Sequence, residues 1–257
     1  MLQPGQAPAY DPAHYASLSA AGERHFWFHH RNVLLASLIR DAARHLGRPC
    51  RLLEVGCGAG NVLAGLEWRV PEVALVGLDL YPEGLTAARR LVSCALVQAD
   101  LGRLPFRTAF DMVAVLDVIE HCDDDLAALQ QAKGSLARDG FLIVTVPADP
   151  RLWSVVDEAA GHRRRYRSED LQALLERAGL EVVYLTHFMA PLYPVVRLAR
   201  ALARRRDPQQ IVATELHVRP FWNALFRWVL WPERFALARR WRLPVGSSLV
   251  ALARPKA

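Results

Sequence analysis

The stretch Leu52-Leu53-Glu54-Val55-Gly56-Cys57-Gly58-Ala59-Gly60-Asn61 decides the fold. From Arg51 to Val55 it is mostly apolar, as in a strand buried on both faces. Three alternate glycines close the strand, and Asn61 to Trp68 continues as a helix. Glycine permits the tight turn and lets a ligand approach the backbone. In an open α/β sheet, the carboxyl end of a strand is where the ligand crevice lies. Gly60 follows Gly58 by two residues rather than three, so the dinucleotide pattern G-x-G-x-x-G is not met. That pattern sets a pyrophosphate on a helix N-terminus. A ligand without a phosphate has no need of that arrangement.

Outward from this turn, strands and helices alternate. Val73 to Leu78, Ala95 to Val97, Met112 to Leu116 and Phe141 to Val146 read as four more strands. Pro82 opens a helix to Leu91, and Asp124 to Leu136 is another, stopped near Asp139-Gly140. Five strands with helical crossovers predict a mostly parallel sheet covered on both faces. Residues 148–167 have the polar, basic and aromatic composition of a loop or lid. Ser168 reads as the cap of a helix over Leu171 to Ala178 that Gly179 ends. Leu180 to Thr186 and Ser248 to Leu252 complete the strands.

Met1 to about Asp11 is a proline-containing lead. A helical region follows, aromatic-rich from His25 to His30, with Val33, Leu34, Leu38 and Ile39 as its apolar stripe. Late in the chain, Leu192 to Ala203 and Phe221 to Trp231 are amphipathic, and Pro191, Pro194, Pro220 and Pro232 divide them into short pieces. The expected organisation is a lead with cap helices over 1–48 and a cofactor-binding core over 49–188. A helical insertion or lid over 189–243 and a final strand over 244–257 follow.

The 257 residues are 52% hydrophobic and 23% charged, enough for a sizeable core and against global disorder. The net charge of +6 comes almost entirely from arginine. Arg163, Arg164, Arg165 and Arg167 form one cluster, Arg197, Arg200, Arg204, Arg205 and Arg206 a second, and Arg234, Arg239, Arg240 and Arg242 a third. Solvated helix faces account for such clusters, as do contacts with nucleic acid, anionic lipid or an acidic small molecule. Cys50, Cys57, Cys94 and Cys122 lack the spacing of a zinc knuckle or redox pair, which suits a reduced, cytoplasmic setting. The N-terminus has no signal-peptide pattern, and no stretch reaches 18 uncharged apolar residues.

Acidic residues stand at the ends of the strands that flank the glycine turn. Asp79 lies 21 residues beyond Gly58, where a carboxylate accepts hydrogen bonds from both hydroxyls of a ribose. Asp100 is placed to reach an adenine amino group, with Leu80 and Leu101 as apolar neighbours. Asp117 is placed to meet the amino-acid end of a nucleoside-linked amino acid, and Glu54 is expected to fix the glycine loop through its backbone amides. Any one of these acids alone is also an ordinary cap or turn residue. Gly56, Gly58, Gly60, Asp79 and Asp100 together describe one crevice.

On these residues the chain resembles the class I S-adenosylmethionine (SAM)-dependent methyltransferase family, particularly its small-molecule methyltransferase-domain branch. Glu54 to Gly60, Cys57 included, matches the family's E-V-G-C-G-x-G loop, and Asp79 its ribose-binding acid. Asp100-Leu101 matches the adenine-side motif, and Phe110 to His121 the F-D-x-V…V-I-E-H segment. Leu136 to Val146, with Gly140 and Phe141, matches the helix-turn-strand that follows. The likeness covers residues 50–186 and resumes at the last strand. It implies an α/β, Rossmann-like fold with a mostly parallel seven-stranded sheet in the order 3-2-1-4-5-7-6, the seventh strand antiparallel. It also implies S-adenosyl-L-methionine as cofactor. His25-Phe26-Trp27-Phe28 with Arg31-Asn32, and Gly161-His162 with Arg164-Arg165-Tyr166, resemble a bacterial subgroup often found near cell-surface or lipid-type biosynthesis.

The acceptor side follows from the chemistry of methyl transfer. A hydroxyl nucleophile needs a base, and His121 and His162 have suitable side chains. A helix-capping His121 and a solvent-facing His162 are the plain alternatives. Tyr166 and Arg165 are candidates to orient or neutralise an acidic acceptor. Phe26, with Trp27 and Phe28, either caps the cofactor pocket or staples into the core, and Arg31 is placed to meet a carboxylate at the pocket edge. Asp117, Glu120 and His121 form an alternative divalent-ion set by likeness to quinone-precursor O-methyltransferases, but no metal is assigned.

The preferred reading is O-methylation of a small or lipid-linked metabolite. N- or C-methylation and a non-catalytic SAM-binding or membrane-associated role are the alternatives. No nucleic-acid partner is expected, because Asp117-Val118-Ile119 replaces the Asn/Asp-Pro-Pro-Tyr/Phe signature and no RNA-binding module is present. The amphipathic insertion is expected to be a lid, a homodimer face or a peripheral contact with the inner face of the membrane.

Overall fold

The computed structural model describes residues 22–203 and 218–256. The N-terminal lead and the arginines Arg204, Arg205 and Arg206 lie outside the described residues. Seven strands form one sheet: β1 (Cys50–Val55), β2 (Val73–Asp79), β3 (Ala95–Gln98), β4 (Phe110–Leu116), β5 (Leu136–Pro147), β6 (Leu180–Phe188) and β7 (Ser248–Pro255). Their order is β3-β2-β1-β4-β5-β7-β6. β7 is antiparallel to both β5 and β6, and the other pairs are parallel. Order and direction are those the resemblance implies.

Nine α-helices accompany the described strands: α1 (Phe26–Leu46), α2 (Asn61–Glu67), α3 (Pro82–Ala88), α4 (Asp125–Gly134), α5 (Val155–Ala159), α6 (Ser168–Arg177), α7 (Tyr193–Ala203), α8 (Pro220–Val229) and α9 (Trp231–Ala238). The apolar stripe of α1 drives Leu34, Leu38 and Ile39 into a core shared with α2, Leu192, Leu230 and Leu237. On the other face of the sheet, Leu129 of α4 and Leu171 and Leu175 of α6 pack against Val113, Leu142 and Val144. Both faces are therefore covered, as a parallel sheet requires.

Three local expectations are corrected. The helix before β5 ends at Gly134, and Leu136 is already strand, paired with Phe110 ahead of a register shift. Gly140 belongs to that irregular stretch, where a Cβ would stand 2.8 Å from the Asp111 carbonyl oxygen. Helical propensity near Leu136 yields there to the sheet. The helix opened by Pro82 stops at Ala88, short of Leu91. Ser168 is the first helical residue rather than the cap, since its hydroxyl donates to Glu169 and Arg167 takes the cap position.

The late insertion packs on α1. Phe26 N donates to Asn223 Oδ1 at 2.7 Å, and Asn223 Nδ2 donates to the Arg24 carbonyl at 2.6 Å. Arg240 pairs with Asp41 of α1 and donates to the Ser37 carbonyl. Deepest is Glu233 of α9, which accepts from Met189 N and Ala190 N and stands 2.7 Å from His30 Nε2. Phe221, Trp222, Trp228, Trp231 and Phe235 remain exposed on α8 and α9. Among the described residues no helix is long and apolar enough to cross a membrane.

Glu233→Ala removes the acceptor for two backbone amides and leaves His30 buried without its partner. Such losses cost about 3 kcal/mol or more together, so the urea midpoint is expected to fall clearly below that of the parent. An unchanged midpoint would show that the insertion docks without this clamp.

Candidate active site

The glycine turn is sewn to the end of β2. Gly56 N and Cys57 N both donate to the Leu78 carbonyl, at 2.7 and 2.9 Å. Gly58 N donates to Asp79 Oδ2 at 2.7 Å, and Tyr81 N donates to Asp79 Oδ1 at 2.9 Å. Gly56 has φ +76°, and a Cβ there would stand 2.5 Å from Val118 Cγ2. Gly60 has φ +81°, and its Cβ would stand 2.9 Å from the Cβ of Ala88. Neither position accepts a side chain, so both glycines hold the turn flat against its neighbours.

Glu54 was expected to receive the loop amides, and it does not. Its carboxyl is buried, and Oε2 has no hydrogen-bond partner. Burial pushes its pKa up to about 8, against the pull of the nearby Arg31 charge. Burial raises Asp79 as well, opposed by the hydrogen bonds from the Tyr81, Gly58 and Leu80 amides. A carboxylate has about four acceptor positions, so each Asp79 oxygen retains a lone pair beyond its amide bond. Asp100 caps a short 3-10 turn by accepting from Gly102 N at 2.8 Å. Leu101 packs beneath it, while Leu80 is half-buried.

Asp117 follows β4 in a left-handed conformation, φ +54°, with its amide donating to the Thr145 carbonyl. Its carboxylate pairs with Arg31 of α1. The Arg31 guanidinium lies 4.1 Å from the Trp27 ring centroid, and its Nε is buried without a partner. Asn32 Nδ2 also donates to the Asn61 carbonyl at 3.3 Å, so α1 covers this end of the crevice. Phe26 does not cap it: the ring turns to Phe226, 5.0 Å away, because α8 offers an apolar face there. Trp27 takes the place beside Arg31.

The second group lies after β4 and β5. His162 Nδ1 is 3.1 Å from Asp157 Oδ1, and His121 Nδ1 is 3.2 Å from the Gly161 carbonyl. A carbonyl only accepts, so His121 carries its proton on Nδ1 and presents Nε2 as a lone pair. The two rings are 4.9 Å apart. Burial, with the His162 charge, pulls His121 down to about 4. Asp157 also accepts from Ser154 N, Arg165 Nε and Arg200 Nη1. Burial alone would raise its carboxyl, but the His162 hydrogen bond and the Arg165 and Arg200 charges hold it below the usual range.

Arg165 and Tyr166 do not stand where an acceptor could meet them. Arg165 is buried with its guanidinium on Asp157 and the Ala148 carbonyl. Tyr166 is buried with its hydroxyl donating to Asp125 at 2.9 Å. Both hold the loop that carries His162. Asp157 was missed from the sequence because residues 148–167 read as loop. The signal was Ser154-Val155-Val156-Asp157, which forms a capping box at the start of α5.

The family described as a methyltransferase domain matches residues 27–185, more than half of the chain. The chain belongs to that family. It is similar to trans-aconitate 2-methyltransferase of Streptomyces coelicolor, at 30% identity over 239 residues covering 88% of this chain and 71% of that protein. The protein of the same name from Methylobacterium nodulans is 36% identical over 103 residues, a match that spans 40% of each chain. An S-adenosylmethionine-dependent methyltransferase from Clostridium acetobutylicum shares the fold, with a TM-score of 0.55 at 11% identity over 86% of this chain and 91% of that one.

Membership of the methyltransferase-domain family brings S-adenosylmethionine as methyl donor, and the residues present fit it. Asp79 keeps acceptor capacity for a ribose diol. Arg31 and Asp117 set a cation beside an anion, matching the two charges of an α-amino acid, and Arg31 Nε has a donor to spare. Asp79→Ala is expected to weaken SAM binding about tenfold or more by calorimetry, since it removes the diol acceptor and releases Gly58. An unchanged Kd would remove Asp79 from the site.

Proposed function

We propose that the chain transfers the methyl group of SAM to an oxygen of a small or lipid-linked metabolite and releases S-adenosylhomocysteine. Bound SAM supplies an electrophilic methyl carbon on a sulfonium, which a nucleophile takes by in-line displacement. The protein's part is alignment, exclusion of water and management of the nucleophile's proton. Gly56, Gly58, Gly60 and Asp79 hold the nucleoside, Asp100, Leu80 and Leu101 flank the base, and Asp117 with Arg31 fixes the amino-acid end.

The observation that carries the reading is the pair of histidines, each anchored through Nδ1. Asp157 sets the ring of His162 so that Nε2 is directed away from its own anchor, an arrangement suited to accepting a hydroxyl proton. His121, neutral and half-buried beside it, fills the other side. Arg165, Arg200 and Tyr166 act through the loop, as positioning residues. A second reading is a carboxylate acceptor, favoured by relatives named for trans-aconitate. A carboxylate needs no base, so the two readings separate by variant.

The lead helix and the described parts of the insertion, residues 189–203 and 218–243, act in this proposal as one cap over the amino-acid end of the crevice. Residues 219–243 contain six arginines and one glutamate, and that glutamate is buried against His30. With the exposed aromatic edge of α8 and α9, this composition suits contact with a lipid-carried acceptor at an anionic surface.

The test is label transfer from methyl-tritiated SAM to host extract and to trans-aconitate, with organic and aqueous fractions counted before and after mild alkali. A carboxyl methyl ester releases labelled methanol in alkali, whereas an ether does not. For a hydroxyl acceptor, His162→Asn is expected to lower kcat about 100-fold or more with the SAM Kd unchanged. Label on nitrogen or carbon would overturn O-methylation. No transfer despite SAM binding would revive a non-catalytic role.

A further inference from the structure

Among the described residues, Glu120 is the carboxylate with both oxygens buried and unpartnered. Its side chain is fully buried, and neither Oε1 nor Oε2 has a hydrogen-bond partner. Burial, reinforced by Asp117, holds its carboxyl well above the usual range. Protonation removes the charge but not the problem, because the new hydroxyl still lacks an acceptor. A buried polar group left unpaired costs about 1–3 kcal/mol, more when charged. Such a carboxyl is suited to a partner that the protein chain does not itself supply.

The surroundings indicate what that is. One ligand atom each from Glu120, His121 and His162 lies within 4.8 Å of the others. His121 Nδ1 is occupied by the Gly161 carbonyl and His162 Nδ1 by Asp157, so each imidazole has its Nε2 left to bind. Metal-bound histidines characteristically anchor their second nitrogen on a carbonyl or carboxylate, which fixes ring and tautomer. The Asp157 anchor is itself locked by Ser154, Arg165 and Arg200. Asp117, which the sequence offered with Glu120 and His121, is instead taken by Arg31.

We infer that Glu120, His121 and His162 bind a divalent transition-metal ion of the zinc or cobalt class, with a coordination position left open toward the acceptor. Two imidazoles and a carboxylate are a donor set suited to such ions, and too poor in oxygen for calcium or magnesium. Tetrahedral bonds of about 2.0–2.1 Å place ligands ~3.4 Å apart, so modest side-chain rotations close the site. The half-buried histidines join the buried carboxylate to solvent.

This inference rests on the acceptor-side assignment above and alters one role in it. With the ion bound, His162 Nε2 is a ligand, and the acceptor oxygen meets the ion instead of the imidazole. A hydroxyl held by a divalent ion gives up its proton to solvent water more readily, so the ion takes over the task of the imidazole base. The acceptor stays the same class of oxygen nucleophile.

The experiment is titration of the chelator-treated, full-length protein with Co²⁺, followed by visible absorption, calorimetry and thermal unfolding. The expected result is one ion per chain, a visible d–d band and a raised Tm. Glu120→Gln should lose the band and the Tm response, while its Tm without metal stays near the parent value because a neutral amide of the same shape replaces the acid. Asp157→Asn should weaken binding about 10–100-fold. No binding at millimolar Co²⁺, or a full response from Glu120→Gln, would overturn the site. Those readings involve no methyl transfer, so they fail independently of the label assay. Transfer that persists in metal-free protein would leave the O-methylation reading standing while refuting the ion's part in it.

Discussion

Asp79 is the side chain on which the crevice depends. One carboxylate, buried at the end of β2, holds the glycine turn through Gly58 and starts the next loop through Tyr81. Burying it is unfavourable, and the backbone amides offset that cost. The structural duty leaves a lone pair on each oxygen, so in the proposed function shaping the turn and reading a diol fall to the same group. Glu54, one strand away, shows the contrast: without amides it is pushed up to about 8.

The second organising contact is Arg31 with Asp117. It joins the lead helix to the end of β4, and the helix is in turn held by the late insertion through Asn223, Glu233 and Arg240. Segments nearly 200 residues apart therefore converge on one end of the crevice. The strained φ of Asp117 is tolerated because its amide is anchored on Thr145 and its carboxylate on Arg31. On the far side, Asp157 does for the histidines what Asp79 does for the glycines.

The sheet was legible because apolar runs and glycine turns report local backbone directly. Gly56 and Gly60 had to be glycine, and their spacing after an apolar run was enough to locate the turn at the end of β1. Long-range pairings were not legible. Nothing in the sequence said that the Gly58 amide would go to Asp79 rather than Glu54, since that depends on how β1 and β2 sit side by side. Arg165 and Tyr166 looked like acceptor contacts because charge and hydroxyl were visible while burial was not. Phe26 and Trp27 are adjacent on one helix and face different partners, which only the docking of α8 resolves. At Leu136 and Ser168 the errors lie at element ends, where sheet pairing and hydrogen bonding outweigh propensity.

In the proposed function the crevice divides into a nucleoside end at Asp79 and an amino-acid end at Arg31 and Asp117, and the cofactor reading depends on that division. Calorimetry of S-adenosylhomocysteine against methylthioadenosine, which lacks the amino-acid portion, separates the two ends directly. The parent should prefer S-adenosylhomocysteine, Arg31→Met should lose that preference, and Asp79→Ala should weaken both ligands to a similar degree. Equal loss of both ligands in Arg31→Met, or a preference for S-adenosylhomocysteine that Arg31→Met leaves intact, would contradict the assignment.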